Sequence, residues 1–289
     1  MDRPRDETET TRDVSLGSSQ IRVMSFNVRG SFHDALRKNA WRNRADLNVA
    51  TIGRYAPDVI GLQEAQSGNL DAYRKRLPRY AHIPGPKYGN GVPHDYNTIL
   101  YDPERLEVLD TGGFWLSETP ERHSKSWETR VARSATWVLF GVPGKQLSIL
   151  HLNTHLDHIS ALARREGSKL IVQRVAGVSG RKDADPAVIL TGDFNARPDS
   201  ATYKTFTQAG FMDTFLAAGN EEGEGSNTFH AFRGAGYTDA HPDRGPRRLD
   251  WILLKDPSGR LETRSHKIIH DEDAGLYPSD HYPILAGFR

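Results

Sequence analysis

The stretch Ala187-Val-Ile-Leu-Thr-Gly-Asp-Phe-Asn195 joins an apolar run to a polar turn. Its first residues have the length and composition of a buried strand. Glycine, aspartate and asparagine alone would indicate an ordinary turn, but Phe194 among them favours a packed loop of defined shape. We therefore interpret the stretch as a buried strand that carries two functional polar groups, Asp193 and Asn195, at its carboxyl end.

Polar side chains accompany other predicted strands in the same way. A polar group beside a buried strand costs roughly 1–3 kcal/mol unless it is paired. A turn, a solvated strand end or a surface ion pair would explain any one such cluster. Their recurrence has one common explanation, which is that the strand ends converge on a polar site at a sheet edge. Four of these clusters end apolar strands and a fifth precedes the last strand: Ser25-Phe-Asn27, Gly61-Leu-Gln-Glu64, Asn153-Thr-His155, Leu249-Asp250 and Ser279-Asp-His281.

These side chains suit a hard divalent cation. Oxygen ligands such as those of Asn27, Glu64 and Asp280 favour Mg²⁺, Mn²⁺ or Ca²⁺. The sequence contains no cysteine, which excludes thiolate zinc sites and a cysteine nucleophile. Mg²⁺ takes oxygens from phosphate substrates, so the donor set indicates phosphoryl chemistry. In such a reaction a carboxylate or a carboxylate–amide pair positions and deprotonates a water, and histidine donates hydrogen bonds to the developing charge.

Length and composition indicate the domain organisation. The 289 residues suffice for one large α/β domain or two small ones, and 37% hydrophobic with 26% charged residues is typical of a globular chain. Residues 1–19 are polar and lack the apolar segment of a secretory signal, so we expect a disordered tail. We find no interior linker or repeat and predict a single domain over residues 20–289.

The hydrophobic pattern predicts strands and helices that do not alternate strictly, which indicates an α/β fold other than a doubly wound sheet. Three long gaps, 85–93, 119–130 and 219–246, are rich in Gly, Pro, His and Arg, and we expect them to shape a substrate cleft. The predicted strands are 21–28, 58–62, 97–101, 135–142, 147–155, 187–191, 249–254 and 283–288, and the predicted helices are 41–55, 70–77, 160–178 and 199–207.

Six motifs occur in the order typical of the endonuclease/exonuclease/phosphatase superfamily: Met24-Ser-Phe-Asn27, Gly61-Leu-Gln-Glu64, Asn153-Thr-His-Leu-Asp157, Gly192-Asp-Phe-Asn195, Arg248-Leu-Asp-Trp-Ile252 and Ser279-Asp-His281. The chain resembles this superfamily over residues 21–289, and more narrowly a bacterial branch whose substrates are poorly defined. The resemblance implies a four-layer α/β sandwich of two packed, mainly antiparallel sheets flanked by helices. It also implies hydrolysis of a phosphoester bond by in-line attack of an activated water, as in a phosphodiesterase, nuclease or phosphatase.

The resemblance further implies one or two Mg²⁺ or Mn²⁺ ions as cofactor. Glu64 is expected to be the principal metal ligand, with Asn27 and Asp280 beside it.

The same resemblance implies roles in the reaction for five further residues. Asp193 is expected to orient or deprotonate the water, and Asn195 to hold the phosphate or that water. Asp250 is expected to orient His281 by fixing its tautomer. His155 is expected to stabilise the leaving group.

Side chains outside the motifs are candidates for substrate contacts. Arg133, Arg197 and His230 are candidate partners of a phosphate or a polar leaving group, and a structural contact is the alternative for each. Aromatic candidates for stacking on a base or sugar, with core packing as the alternative, are Trp115, Trp127 and Phe229.

The net charge of +1 argues against the large basic surface that duplex binding requires. A small or single-stranded phosphoester is therefore favoured, with nucleic acid among the candidate partners. Three alternatives stay open: activity on a small phosphorylated sugar, inositol or lipid headgroup, an inactive binding member of the family, and a zinc hydrolase that uses His155, His158 and His281. The sequence has no run of 18 apolar residues, and we expect no membrane anchor, no obligate protein partner and a cytoplasmic location.

Overall fold

The computed structural model describes residues 20–33, 37–179, 185–241 and 245–289. The expected disordered tail, residues 1–19, lies outside the described residues. The strands are β1 (Ile21–Asn27), β2 (Val59–Gln63), β3 (Ala81–Ile83), β4 (Ile99–Tyr101), β5 (Glu107–Trp115), β6 (Ser134–Gly141), β7 (Ser148–His155), β8 (Ala187–Asp193), β9 (Met212–Asp213), β10 (Asp250–Lys255), β11 (Thr263–Ile268) and β12 (Ile284–Phe288). The α-helices are α1 (Trp41–Tyr55), α2 (Ser67–Arg76), α3 (Ala161–Ser179), α4 (Ala201–Gln208) and α5 (Thr214–Ala217).

The strands form two six-stranded sheets. The first has the order β11-β12-β1-β2-β4-β3 and the second has the order β5-β6-β7-β8-β10-β9. Only β1–β2 and β7–β8 pair in parallel among the described strands, and their neighbours pair antiparallel. The prediction of two packed, mainly antiparallel sheets is therefore confirmed.

Three apolar clusters hold four layers together. The central cluster lies between the sheets and includes Val59 of the first sheet and Ile189 of the second. A second cluster packs β1 and β2 against α1 and α2, and a third packs β7, β8 and β10 against α3 and α4. Because each sheet has an apolar face inside and another under helices, its interior strands are buried on both sides.

Strand direction brings the polar ends to one edge. Asn27 lies opposite Gln63 where the parallel strands β1 and β2 end. His155 lies opposite Asp193 where β7 and β8 end, and Asp193 in turn lies opposite Asp250, the first residue of antiparallel β10. The two sheets therefore deliver their functional side chains to the same end of the sandwich.

The eight strands predicted from the hydrophobic pattern correspond to the eight interior strands. The four strands that it missed are β3, β5, β9 and β11, and these are the four sheet edges. Edge strands are paired on one side only, and β5 and β11 have many exposed or half-buried residues. They therefore lack the apolar run that marks an interior strand.

The four predicted helices are present as α1 to α4, and α5 is an additional short helix. α4 begins after Ser200, whose side chain accepts a hydrogen bond from Tyr203 N as expected for a helix cap. In the described part of the chain, no helix has the length and hydropathy needed to cross a membrane.

Candidate active site

The converging strand ends open into a pocket of about 980 Å³. Six of the predicted site residues line it: Glu64, His155, Asp193, Asn195, Asp280 and His281. Asn27 and Asp250 do not line the pocket but contact residues that do.

A buried polar network joins the two sheets below this pocket. Gln63 Nε2 donates to Asn153 Oδ1 over 2.7 Å, and Asn153 Nδ2 donates to Leu62 O over 2.6 Å. The close approach requires a glycine at position 61, because a Cβ there would lie 2.6 Å from Asn153 Oδ1. The network fixes the relative position of β2 and β7 just where the site is assembled.

Asn27 bridges the carboxylates of the two sheets. Its Nδ2 donates to Glu64 Oε1 over 3.2 Å and to Asp193 Oδ2 over 3.0 Å. Its Oδ1 accepts the Arg29 backbone N–H over 3.0 Å, which fixes the orientation of the amide. In this arrangement the amide nitrogen of Asn27 faces the carboxylates, whereas the sequence hypothesis has its oxygen near a metal.

His281 lies between two carboxylates. Its Nδ1 donates to Asp250 Oδ2 over 2.8 Å, and its Nε2 lies 3.6 Å from Asp193 Oδ2. Burial alone would lower the pKa of His281, but Asp250 and Asp193 outweigh it and raise the pKa to about 10. The structure thus has Asp250 oriented toward His281, with an imidazolium held against Asp193.

Asp193 accepts hydrogen bonds on both oxygens. Asn27 Nδ2 approaches Oδ2, and the Asn195 backbone N–H donates to Oδ1 over 2.9 Å. Burial raises the pKa of Asp193 to about 7, partly offset by His281. A carboxyl group with a pKa near neutrality exchanges protons readily at physiological pH.

Asn195 also holds His155. Its Nδ2 donates to Leu156 O over 3.1 Å, which identifies the nitrogen, and the same Nδ2 lies 2.9 Å from His155 Nε2. His155 Nε2 is therefore the acceptor, and the proton of the ring is on Nδ1. Burial and then Arg133 lower the pKa of His155 well below its usual value, so the ring is neutral.

Left-handed backbone occurs at three residues around the pocket. Arg29, Glu64 and Asn195 have φ angles of 49°, 59° and 47°. Such conformations are uncommon outside glycine, and for arginine and glutamate they are maintained by surrounding contacts. These three positions lie where strands β1, β2 and β8 end, at the pocket.

The carboxylates at one side of the pocket fit a divalent cation. Among the described residues, Glu64 Oε2 is buried without a hydrogen-bond partner, and Asp280 Oδ2 lies 3.7 Å from Arg29 Nη1. Burial raises the pKa of Asp280, and Glu64 adds to this against the opposing charges of His281 and Arg29. Buried carboxylate oxygens of this kind are the donors that Mg²⁺ or Mn²⁺ prefers.

A second arrangement of ligand-type atoms is present in the described residues. One oxygen or nitrogen from each of Asp193, Asp250 and His281 lies within 4.8 Å of the others. The 2.8 Å contact between His281 and Asp250 is a hydrogen bond, which leaves no room for an ion between them. The histidines of the zinc alternative do not form such a group in the described part of the chain.

The three predicted substrate contacts are placed differently. Arg133 lines the pocket and its Nη2 lies 3.1 Å from His158 Nδ1. Arg197 does not line it, because its guanidinium binds Asp239 and the Gly245 carbonyl.

His230 also lies outside the pocket. It is 1% exposed, its ring stacks on Tyr282 at 3.9 Å, and it borders a separate cleft. The structure therefore does not bring the predicted substrate-contact residues Arg197 and His230 into this pocket.

Several pocket residues were not predicted. Two long gaps contribute Tyr88, His123, Lys125 and Arg130, in agreement with the expectation that these gaps shape the cleft. From the third gap, Phe229 lines the pocket, whereas other residues of this gap, such as His230 and Tyr237, border the separate cleft. Of the other aromatic candidates, Trp115 lines the pocket while Trp127 does not.

Stacked rings form one wall of the pocket. Tyr96 lies parallel to His155 at 5.8 Å and to His94 at 5.7 Å. His94, Trp115, Tyr88 and His123 continue this wall away from the carboxylates. We call these rings, Tyr88, His94, Tyr96, Trp115 and His123, the aromatic wall. The pocket thus has an acidic end and an aromatic end.

Comparison with known proteins places this geometry in context. A mannosyl-6-phosphatase from Bacteroides thetaiotaomicron has 25% sequence identity and a TM-score of 0.81, over 93% of this chain and 99% of that one. An endonuclease/exonuclease/phosphatase from Bacteroides vulgatus has 27% identity and a TM-score of 0.80, over 94% and 99%.

A curated relative is more distant. A probable RNA exonuclease from Saccharomyces cerevisiae is 21% identical over 216 residues, which are 70% of this chain and 42% of that protein. The chain thus spans less than half the length of that relative.

The profile of the Endonuclease/Exonuclease/phosphatase family matches residues 24–281. The match contains all six motifs, from Met24 to His281, and the two sheets have the packing that the motifs implied. The chain belongs to the endonuclease/exonuclease/phosphatase family, whose members are hydrolases of phosphoester bonds and generally use divalent metals.

Proposed function

We propose that this protein hydrolyses a phosphoester bond with the help of a divalent cation, by in-line attack of a water. One observation supports the proposal above all others. His281 lies between Asp250 and Asp193, and this group of three shares a pocket with the carboxylates of Glu64 and Asp280. Asp193 can accept a proton and His281 carries a positive charge, while Glu64 and Asp280 supply hard oxygen ligands.

Glu64 and Asp280 are the residues that would hold Mg²⁺ or Mn²⁺. When bound, the cation neutralises negative charge on the phosphoryl group. Asn27 donates hydrogen bonds from its amide nitrogen to both Glu64 and Asp193, which fixes the two carboxylates relative to each other. We therefore assign Asn27 a positioning role.

The chain's own groups account for the proton transfers. The water oxygen attacks phosphorus and its proton passes to Asp193. The bond from phosphorus to the leaving oxygen breaks, its electron pair goes to that oxygen, and the oxygen takes up a proton from solvent water. Asp193 is suited to accept that proton because burial raises its pKa to about 7. His281 provides the positive charge that faces the phosphoryl oxygens.

Asn195 and His155 form the other side of the reacting centre. The amide of Asn195 is fixed by Leu156 O and by the ring of His155. We assign Asn195 to the phosphoryl group or the attacking water, and His155 to the leaving-group side of the pocket. The neutral imidazole of His155 adds no second cation next to His281.

A small phosphorylated sugar is the substrate class that we favour. The pocket of about 980 Å³ accommodates a compact ligand, and the net charge of +1 does not favour duplex DNA. The likeness to a mannosyl-6-phosphatase points the same way. Single-stranded nucleic acid is the second candidate, because the aromatic wall offers rings on which bases stack.

A substrate panel tests the proposal. Metal-free protein is assayed with Mg²⁺, Mn²⁺ or EDTA on sugar 6-phosphates, p-nitrophenyl phosphate, bis-p-nitrophenyl phosphate and single-stranded oligonucleotides. We expect turnover with Mg²⁺ or Mn²⁺, its loss in EDTA, and the highest kcat/KM on a sugar phosphate. Turnover that survives EDTA, or rescue by Zn²⁺ alone, would overturn the metal assignment. Preference for oligonucleotides would overturn the substrate class.

A further inference from the structure

His33 faces Glu64 across a short gap at the acidic end of the pocket. The imidazole Nε2 lies 3.6 Å from Glu64 Oε2. Both atoms are buried, and neither has a hydrogen-bond partner among the residues that the structure describes. The separation is too long for a hydrogen bond and about 0.6 Å longer than the ~3 Å between adjacent ligands of an octahedral ion with bonds of ~2.1 Å, so a small movement of the imidazole would let both atoms bind one ion.

The loop that carries His33 is anchored so that the imidazole is presented to Glu64. The Phe32 N–H donates to Gln66 Oε1 over 2.7 Å, and the Ser31 N–H donates to Asn69 Oδ1 over 2.9 Å. Both acceptors belong to the start of α2, directly after Glu64 in the chain. The same segment of backbone therefore positions the carboxylate and the imidazole.

We infer that His33 is a nitrogen ligand of the cation held by Glu64 and Asp280, and that the site prefers Mn²⁺ or another first-row transition ion over Mg²⁺. The inference rests on the proposed function, because it concerns the same cation. Imidazole is a good ligand for transition ions, whereas Mg²⁺ prefers oxygen donors. The preference for a transition ion is inferred from His33 Nε2 and Glu64 Oε2, which face each other without a hydrogen bond.

Mn²⁺ itself is the probe for the experiment. The metal-free protein, residues 1–289, is loaded with Mn²⁺ and binding is followed by electron paramagnetic resonance. Electron spin echo envelope modulation then detects ¹⁴N coupled to the bound ion. We expect nitrogen modulation in the wild type and its loss in His33→Gln. We also expect His33→Gln to weaken Mn²⁺ binding about 10–100-fold, while Mg²⁺ affinity, measured by competition, changes by less than about threefold.

Two further variants make the result specific. His123→Gln removes another imidazole of the same pocket, at its aromatic end, and should retain both the modulation and the Mn²⁺ affinity. His33→Asp replaces nitrogen by oxygen, so it should bind both ions without nitrogen modulation. Thermal unfolding of the metal-free variants checks that each is folded.

The possible outcomes separate this inference from the proposed function. Failure of the wild type to bind any divalent ion would overturn both. Binding of Mn²⁺ without nitrogen modulation would overturn only the assignment of His33. Modulation that persists in His33→Gln would overturn it as well, and would point to His155 or His281 as the nitrogen source.

Discussion

His281 Nδ1 donates a 2.8 Å hydrogen bond to Asp250 Oδ2, and the two residues come from different sheets. Asp250 opens β10 in the second sheet, whereas His281 lies just before β12 in the first. The bond ties the two sheet edges together at the pocket. Because Nδ1 is engaged, Nε2 is the nitrogen that faces Asp193.

Asp250→Asn should lower kcat about 100-fold with a much smaller change in KM. The amide has nearly the same shape but no charge, so His281 loses one of the three carboxylates, Asp250, Asp193 and Asp280, that raise its pKa to about 10. The cationic imidazole is then lost at a lower pH, and the alkaline limit of activity should move down. Steady-state kinetics across pH measures this shift.

A structural role for Asp250 would give a different result. It would lower the amount of folded protein without moving the pH profile of the remaining activity. The matched control is Asp239→Asn, which removes a carboxylate that pairs with Arg197 outside the pocket. That variant should keep the wild-type pH profile.

Glu64→Gln should weaken Mn²⁺ or Mg²⁺ binding and lower kcat, each by about 100-fold or more. The metal-free variant should be at least as stable as the wild type, because the neutral side chain no longer repels Asp280. Isothermal titration calorimetry and thermal unfolding measure the two effects.

Glu166→Gln is the matched control for Glu64→Gln. Glu166 is an α3 residue that pairs with Arg165 and Lys169 on the surface. Surface pairs of this kind contribute about 0–1 kcal/mol, so metal binding and kcat should stay at wild-type values. Equal losses in the two variants would remove the case for Glu64 as a ligand.

The hydrophobic pattern of the sequence predicts the interior strands of both sheets and misses the edge strands, and one physical reason explains both results. An interior strand is buried by a second sheet on one face and by helices on the other, so its residues form an apolar run such as Ala187 to Leu190. The edge strand β5 is exposed at Glu107 and Asp110 and has no such run. Edge strands are defined by pairing with a distant neighbour, and composition does not encode that pairing.

Arg133→Ala should raise KM about 10–100-fold, because a hydrogen bond to a charged group contributes about 1.5–3 kcal/mol. Arg133 is 6% exposed and lines the pocket. Arg197→Ala should leave KM within about twofold of the wild type, because its guanidinium is bound to Asp239. The comparison requires only steady-state kinetics on the substrate found in the panel.

The result for this pair distinguishes phosphate contact from packing. If both variants raise KM equally, Arg197 reaches the substrate despite its ion pair. If neither variant raises KM, Arg133 serves to hold His158 and Asp157 rather than the substrate.

These two arginines also show what sequence cannot reveal about a site. The motif residues were predictable because strand direction alone brings their positions to one edge. Arg197 follows Asn195 by two residues, yet Asp239, far along the chain, turns its side chain away. Asn27 was predicted at its correct place, but the direction of its amide depends on the Arg29 backbone, whose φ is left-handed.

Buried histidines outside the reacting centre predict acid sensitivity. Burial lowers the pKa of His151 to about 3, and its Nε2 lies 2.9 Å from Thr191 Oγ1. The unfolded chain takes up a proton on this residue near pH 6.5, whereas the folded protein does not. The contribution of His151 to the free energy of unfolding is therefore fully present above pH 6.5 and is lost as the pH falls toward 3.

His151→Gln should reduce that loss, because glutamine retains a hydrogen-bonding side chain of similar size but does not titrate. At pH 8 the variant should be within about 1 kcal/mol of the wild type, the worth of one hydrogen bond. For each pH unit below 6.5, the wild type loses about 1.4 kcal/mol of its free energy of unfolding through His151. At pH 5 the free energy of unfolding of the variant should therefore have risen by about 2 kcal/mol relative to that of the wild type. Urea unfolding at the two pH values measures the change.

His266 offers a second test, because burial also lowers its pKa to about 3. The variant His266→Gln should show the same change of stability with pH as His151→Gln. Parallel stability curves for wild type and both variants would mean that the unfolded chain gains no extra proton at these positions.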